Sequence, residues 1–184
     1  MILKGFPRSF KTILARMERF SSSEKIPIEV LGEISLDNEV IPIVKLEIKC
    51  QSKKPKKKVL ISACIHGDEP AGVETICNFL ENKNYLPFLT DWNITILPCL
   101  NPTGYQRNTR NNYENKDLNR LFKLSSSAKE VEIAKKVLQP IFDLTLELHE
   151  DSESNCWESD FQRFNETGHV TENTSRNSQE KCRE

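Results

Sequence analysis

No apolar run in this chain approaches the length of a membrane span, about 20 residues, so spanning helices are excluded. The N-terminus, Met1-Ile2-Leu3-Lys4-Gly5-Phe6-Pro7, has no long apolar segment and no small-residue cleavage signature, and no secretory leader is expected. The net charge is −1, which removes any strong general pull toward nucleic acid or anionic membrane. None of the six cysteines (Cys50, Cys64, Cys77, Cys99, Cys156 and Cys182) belongs to a C-x-x-C pair. That argues against a disulfide framework and against a zinc knuckle, leaving reduced, mostly buried thiols. Asn93, Asn165 and Asn173 open N-x-S/T triplets, which carry no weight without a secretion signal. There is no internal repeat. These absences predict a soluble cytoplasmic protein with neither membrane nor nucleic acid as a partner.

What is present is enough for one domain with a real core: 184 residues, 37% hydrophobic and 29% charged. Phe10, Ile13, Leu14, Met17 and Phe20 recur on one helical face, and Ser21-Ser22-Ser23 is expected to end that helix. Ile26–Ile34 and Ile41–Ile48 alternate apolar and polar residues as strands do, with Pro27 favouring an edge and Asp37-Asn38 suited to the turn between them. The basic run from Lys53 to Lys58 reads as a solvated loop.

Val59–Ile65 is almost continuously apolar, the pattern of a central strand covered on both faces. A helical pattern follows over Ala71–Asn82, then a strand over Asn93–Leu100, which together imply a parallel crossover. Thr103–Asn119 is polar and reads as a long loop with little to bury. Ser125–Leu138 is helical, with Ser125–Ser127 able to cap it and Pro140 after it, and Ile141–Leu148 is a strand that runs directly into His149. From Ser159 onward apolar residues are too sparse to offset the cost of ordering, and a disordered tail is expected. The expected organisation is therefore an N-terminal helix and strands over residues 1–57, a catalytic-type unit over 58–157 and a polar tail over 158–184.

Three strand ends bring polar groups to one region. The first carries His66 and Glu69, where an apolar strand gives way to a helix, the crevice side of an α/β sheet. The second is the loop from Asn101 to Arg120, and the third is His149. Alone, H-x-x-E equally describes an exposed turn at a helix start, where an acid is favourable anyway. With His149 it becomes two imidazoles and a carboxylate, a set that suits a zinc ion with one position left open for water. Arginines in the loop suit bidentate binding of a carboxylate, and Asn119 can donate a hydrogen bond to an oxyanion or to that carboxylate.

The strings His66-Gly67-Asp68-Glu69-Pro70-Ala71-Gly72, Asn101-Pro102-Thr103-Gly104-Tyr105, Arg110, Asp117-Leu118-Asn119-Arg120-Leu121-Phe122 and Leu148-His149-Glu150-Asp151 occur in this order. The ordered set resembles the zinc carboxypeptidase superfamily and is similar to its deacylase branch, succinylglutamate desuccinylase and aspartoacylase. The resemblance covers about Lys58 to Ser154. It implies an α/β fold, a three-layer α/β/α arrangement around a mixed, largely parallel sheet, present here in incomplete form. It implies a zinc cofactor held by His66, Glu69 and His149, and a substrate carboxylate held by Asn119 and Arg120. Arg110, rather than Arg107, matches the arginine that polarises the scissile carbonyl, and Asp117 is placed to hold Arg120 or another basic group.

The expected substrate is a peptide or an N-acyl amino acid with a free carboxylate. Metallocarboxypeptidase and N-acyl amino acid deacylase activities both remain open. So does a third reading, an inactive zinc-binding remnant. Relatives carry a general-base glutamate on a late strand far beyond the last zinc ligand, and no glutamate after His149 lies in strand-like sequence here. A truncation or frameshift near Asn155-Cys156-Trp157 is the expectation that follows.

Overall fold

The computed structural model describes residues 8–36, 39–52, 57–123 and 128–150, with the backbone of 163–164 and 170–171. The first helix, α1 (Phe10–Glu24), buries Phe10, Ile13, Met17 and Phe20, the stripe its apolar spacing predicts. Each such side chain taken out of water is worth about 1.5–3 kcal/mol. The three serines do not end the helix: it runs on to Glu24 and stops at Lys25, whose left-handed backbone (φ 57°) turns its N–H back to the Ser21 carbonyl.

Strands β1 (Ile28–Leu36) and β2 (Glu39–Ile48) pair antiparallel, with a bulge between Val30 and Gly32. The expected turn at Asp37-Asn38 lies outside the described residues. Next come β3 (Lys57–Ala63), α2 (Ala71–Glu81), β4 (Trp92–Leu97), the short helices α3 (Pro102–Arg107) and α4 (Leu118–Leu121), α5 (Lys129–Leu138) and β5 (Leu144–Leu148). The sheet order is β1-β2-β4-β3-β5. The β4-β3-β5 half is parallel, and the β1-β2 hairpin joins it antiparallel through β2 and β4. As expected, the apolar strand β3 is central and the Pro27-led strand β1 is an edge.

Alternation along β3 explains the layers. Val59, Ile61 and Ala63 face the core shared with α1 and α2, whereas Leu60 faces the core under α5, with Val131 and Ala134. Helices therefore cover both faces of the sheet. Arg16 of α1 clamps α2 by donating to Glu74 (2.6 Å) and to both carboxylate oxygens of Glu81 (2.8 and 2.7 Å).

The stretch read as a loop with little to bury departs from expectation. It contains α3, in which Pro102, Thr103, Gly104 and Tyr105 are all buried. Asn101 caps that helix by accepting from the Gly104 N–H at 2.9 Å, and Pro102 at its first position has no N–H to leave unpaired. The strand expected over Ile141–Leu148 begins only at Leu144, leaving Ile141 76% exposed. Helix α5 starts after Ala128, and Ser125–Ser127, the serines expected to cap it, lie outside the described residues.

Cys64, Cys77 and Cys99 are buried free thiols and Cys50 is half-buried, while Cys156 and Cys182 lie outside the described residues. Of the basic run, Lys57 and Lys58 open β3 and are exposed, and residues 53–56 are not described. In the stretch expected to be a tail, Arg163–Phe164 (β6) and Val170–Thr171 (β7) pair antiparallel, and the rest lies outside the described residues. No helix among the described residues is long and apolar enough to cross a membrane.

Candidate metal centre

The three parallel strands β4, β3 and β5 deliver their following segments to one edge of the sheet. Beyond β3 the chain turns at Cys64, which adopts a left-handed backbone (φ 58°) and is buried. Two residues later stands His66, 4% exposed, and Glu69 follows just before α2, its N–H bonded to the His66 carbonyl at 3.2 Å. The turn between them has room only for glycine. A Cβ on Gly67 would lie 2.0 Å from the backbone carbon of Gly104 in α3. The Gly67 N–H also donates to the Arg110 carbonyl at 3.2 Å, locking the turn to the arginine-bearing segment.

His149 arrives from the end of β5. Its Nδ1 lies 2.8 Å from Glu69 Oε2, and His66 Nδ1 lies 2.7 Å from Glu69 Oε1. An ionised carboxylate only accepts, so both Nδ1 atoms donate to it. Burial pushes the Glu69 carboxyl up, but the hydrogen bonds from His149 and His66 together outweigh it and hold the pKa down at about 2. His66, Glu69 and His149 each offer a ligand atom within 4.8 Å of the others. The donor set fits a divalent cation such as zinc, which would take the place of the two shared protons.

A second observation supports that fit. His66 Nε2 is buried without a hydrogen-bond partner among the described residues, and Asp117 Oδ1 stands 3.5 Å from it. A ligating Nδ1 must give up its proton, which then sits on Nε2 and faces Asp117. Asp117 is itself held in place. It caps α4 through the N–H groups of Asn119 (3.1 Å) and Arg120 (3.4 Å), and its Oδ2 accepts from Arg110 Nε at 3.2 Å. Burial raises its carboxyl, yet Arg110, His66 and the Arg120 N–H hold it below the ordinary aspartate value.

The other three residues expected at the site lie on the segments beside this cluster. Arg110, half exposed, places Nη1 3.9 Å from Glu69 Oε1. Arg120 lies 3.5 Å from Asp117 Oδ2 with its side chain 84% exposed, and Asn119 sits beside it in α4. Arg107 falls in the last turn of α3. Asp117 lies beside Arg120 and Arg110, as expected of an acid holding Arg120 or another basic group, and its approach to His66 is the addition that the sequence does not show. What its position ahead of Leu118-Asn119-Arg120 does signal is the capping role.

Two glutamates flanking His149 also gain defined places. The Glu150 N–H donates to Glu69 Oε2 and its carboxylate accepts from the Ala71 N–H, both at 3.3 Å. Glu147 accepts a hydrogen bond from Ser62 of β3, while its Oε1 is buried without a partner among the described residues. Burial pushes the Glu147 carboxyl up to about 7 against that hydrogen bond. Of the glutamates beyond His149, only Glu150 is described in side-chain detail.

Residues 55–166 match the succinylglutamate desuccinylase/aspartoacylase catalytic domain. The chain belongs to that family. No curated protein sequence matches it. Among solved structures, a metallo-carboxypeptidase from Burkholderia cenocepacia is similar at 20% identity with a TM-score of 0.69, covering 79% of this chain and 42% of that one. A metallo-carboxypeptidase from Pseudomonas aeruginosa, in complex with (2-guanidinoethylmercapto)succinic acid, is similar at 22% identity with a TM-score of 0.65, covering 80% and 41%. Bovine thrombin-activatable fibrinolysis inhibitor, in complex with tick carboxypeptidase inhibitor, gives 19%, 0.63, 80% and 62%. These neighbours share the α/β fold, and this member of the family spans between two-fifths and about three-fifths of their lengths.

Proposed function

We propose that this chain carries the metal-binding part of a zinc-dependent hydrolase that cleaves an amide bond next to a free carboxylate. The observation that carries the reading is the convergence of His66, Glu69 and His149 ligand atoms within 4.8 Å, with Asp117 behind His66. In this reading His66 and His149 ligate through Nδ1 and Glu69 through its carboxylate. The chemistry a zinc ion supplies when bound is Lewis acidity, polarising a carbonyl and acidifying water.

The chain's own residues supply position and charge. Asp117 holds the His66 proton at Nε2, which keeps Nδ1 free to ligate. Arg110, steered by Asp117 and half exposed, supports the developing oxyanion. Arg120, with its guanidinium in solvent reach, and Asn119 hold the free carboxylate of the substrate.

The match of residues 55–166 favours a second, narrower reading within the same chemistry, deacylation of N-acyl amino acids. Zinc-loaded protein assayed on peptides with free and amidated C-termini, and on N-acyl amino acids, tests both. Turnover abolished in Glu69→Ala is the expected result. Confinement of turnover to N-acyl amino acids selects the deacylase, and cleavage of free but not amidated peptides selects the carboxypeptidase. Failure on every substrate contradicts the hydrolase reading.

A further inference from the structure

The first turn of α5 contains a carboxylate in an unexpected place. Glu130 is 1% exposed, and its Oε2 has no partner among the described residues. A glutamate is costly to bury, and an apolar residue at this helix position would avoid that cost. The position at a helix N-terminus eases the charge only in part; burial still raises the carboxyl above its ordinary value, against hydrogen bonds from its own backbone N–H and from Asn112. What the acid holds is Asn112, itself 5% exposed, whose Nδ2 donates to Glu130 Oε1 at 3.2 Å.

Asn112 in turn shapes the segment between Arg110 and Asp117. Its Oδ1 accepts from the N–H groups of Glu114 (3.1 Å) and Lys116 (3.0 Å), its own N–H donates to the Lys116 carbonyl (3.0 Å), and its carbonyl accepts from the Asn115 N–H (2.9 Å). At the start of the segment the Arg110 carbonyl is held by Asn101 Nδ2 and the Gly67 N–H, each at 3.2 Å. In the middle the Tyr113 N–H donates to Thr103 Oγ1 at 3.2 Å. Glu130 thus ties this hydrogen-bonded turn, which lies between Arg110 and Asp117, to α5.

We propose that Glu130 is a positioning residue: through Asn112 it fixes the segment that aims Arg110 and Asp117 at the metal centre. The proposal rests on the hydrolase reading for its consequence in substrate binding, but its structural half is independent of that reading. It predicts that an acceptor, not a charge, is needed at position 130.

The test reverses the polarity of the pair in the full chain. Asn112→Asp keeps the acceptor for Glu114 and Lys116 but sets two carboxylates face to face at pH 8. Adding Glu130→Gln restores a donor opposite it. Amide hydrogen exchange at Glu114 and Lys116 reads the segment, and calorimetric binding of N-succinyl-L-glutamate to the zinc-loaded protein reads the consequence.

Glu130→Gln alone is expected to stay within about twofold of the parent in affinity, Asn112→Asp to lose about tenfold together with amide protection, and the double variant to recover most of both. A general loss of folding would lower protection along the whole chain, including the β3 and β4 amides, whereas loss of positioning confines the loss to the segment around Glu114 and Lys116. Unaltered protection in Asn112→Asp, or a double variant as damaged as Asn112→Asp, overturns the proposal. If the parent itself does not bind N-succinyl-L-glutamate, the hydrolase reading loses support, and the exchange pattern still decides the role of Glu130.

Discussion

Asp117 Oδ1 stands 3.5 Å from Nε2 of His66, the buried imidazole nitrogen left without a hydrogen-bond partner among the described residues. If that carboxylate orients a metal ligand, Asp117→Ala weakens zinc binding by about 10–100-fold, the usual effect of losing such a partner. Asp117→Asn keeps at Oδ1 an acceptor both for His66 and for the Asn119 and Arg120 N–H groups, so it costs less zinc affinity and leaves the melting temperature little changed. Asp117→Ala loses that cap as well and costs about 1 kcal/mol more in stability. Competition with a chromophoric chelator and a thermal melt separate the two effects, and equal zinc affinity in Asp117→Ala and parent would exclude the orienting role.

Gly67 gives a second, purely steric expectation. A methyl group there meets the Gly104 backbone at 2.0 Å, and backbone cannot step aside as a flexible side chain can. Gly67→Ala is expected to destabilise the protein by about 1–3 kcal/mol or more. Urea denaturation measures it, and an unchanged midpoint would mean that the turn and α3 do not meet this closely.

Glu147 predicts a pH dependence in the metal-free protein. Its carboxyl is pushed up to about 7 by burial, above an unfolded value of about 4.3. A raised carboxyl contributes stability that is fully present below the unfolded pKa and is lost as pH rises through the folded one. Stability should therefore fall between about pH 4.3 and 7, and Glu147→Gln should flatten that decline. Denaturation midpoints taken across the range decide it. A decline of the same depth in the variant would assign the effect to other groups.

Much of this architecture is legible in the residues themselves. The Phe10-Ile13-Met17-Phe20 stripe, the almost continuous apolar run of β3 and the alternation of β2 are burial patterns, and burial is what periodicity reports. The convergence of His66, Glu69 and His149 is readable because each follows, or closely follows, the end of a parallel strand. The burial of α3 was hidden because its inward residues, Pro102, Thr103, Gly104 and Tyr105, are not an apolar stripe. They are buried by close backbone approach and by the Asn101 cap. The approach of Asp117 to His66 was hidden for another reason: it joins residues 51 positions apart through a contact that no local pattern encodes.

The two arginines should separate kinetically once a substrate is in hand. Arg110, near Glu69, is expected to act on the developing charge, so Arg110→Ala lowers kcat by about 100-fold or more. Arg120, far more exposed, is expected to act on the substrate carboxylate, so Arg120→Ala chiefly raises KM. Steady-state assays on one substrate measure both. Loss of kcat in Arg120→Ala with KM unchanged would reverse the assignments.

The account turns on whether His66, Glu69 and His149 hold a metal. Elemental analysis of the purified full chain, beside His66→Ala and His149→Ala, tests that most directly. One zinc per chain in the parent and its loss in both variants is the predicted result; a parent without zinc after reconstitution, or variants that retain it in full, would contradict the account.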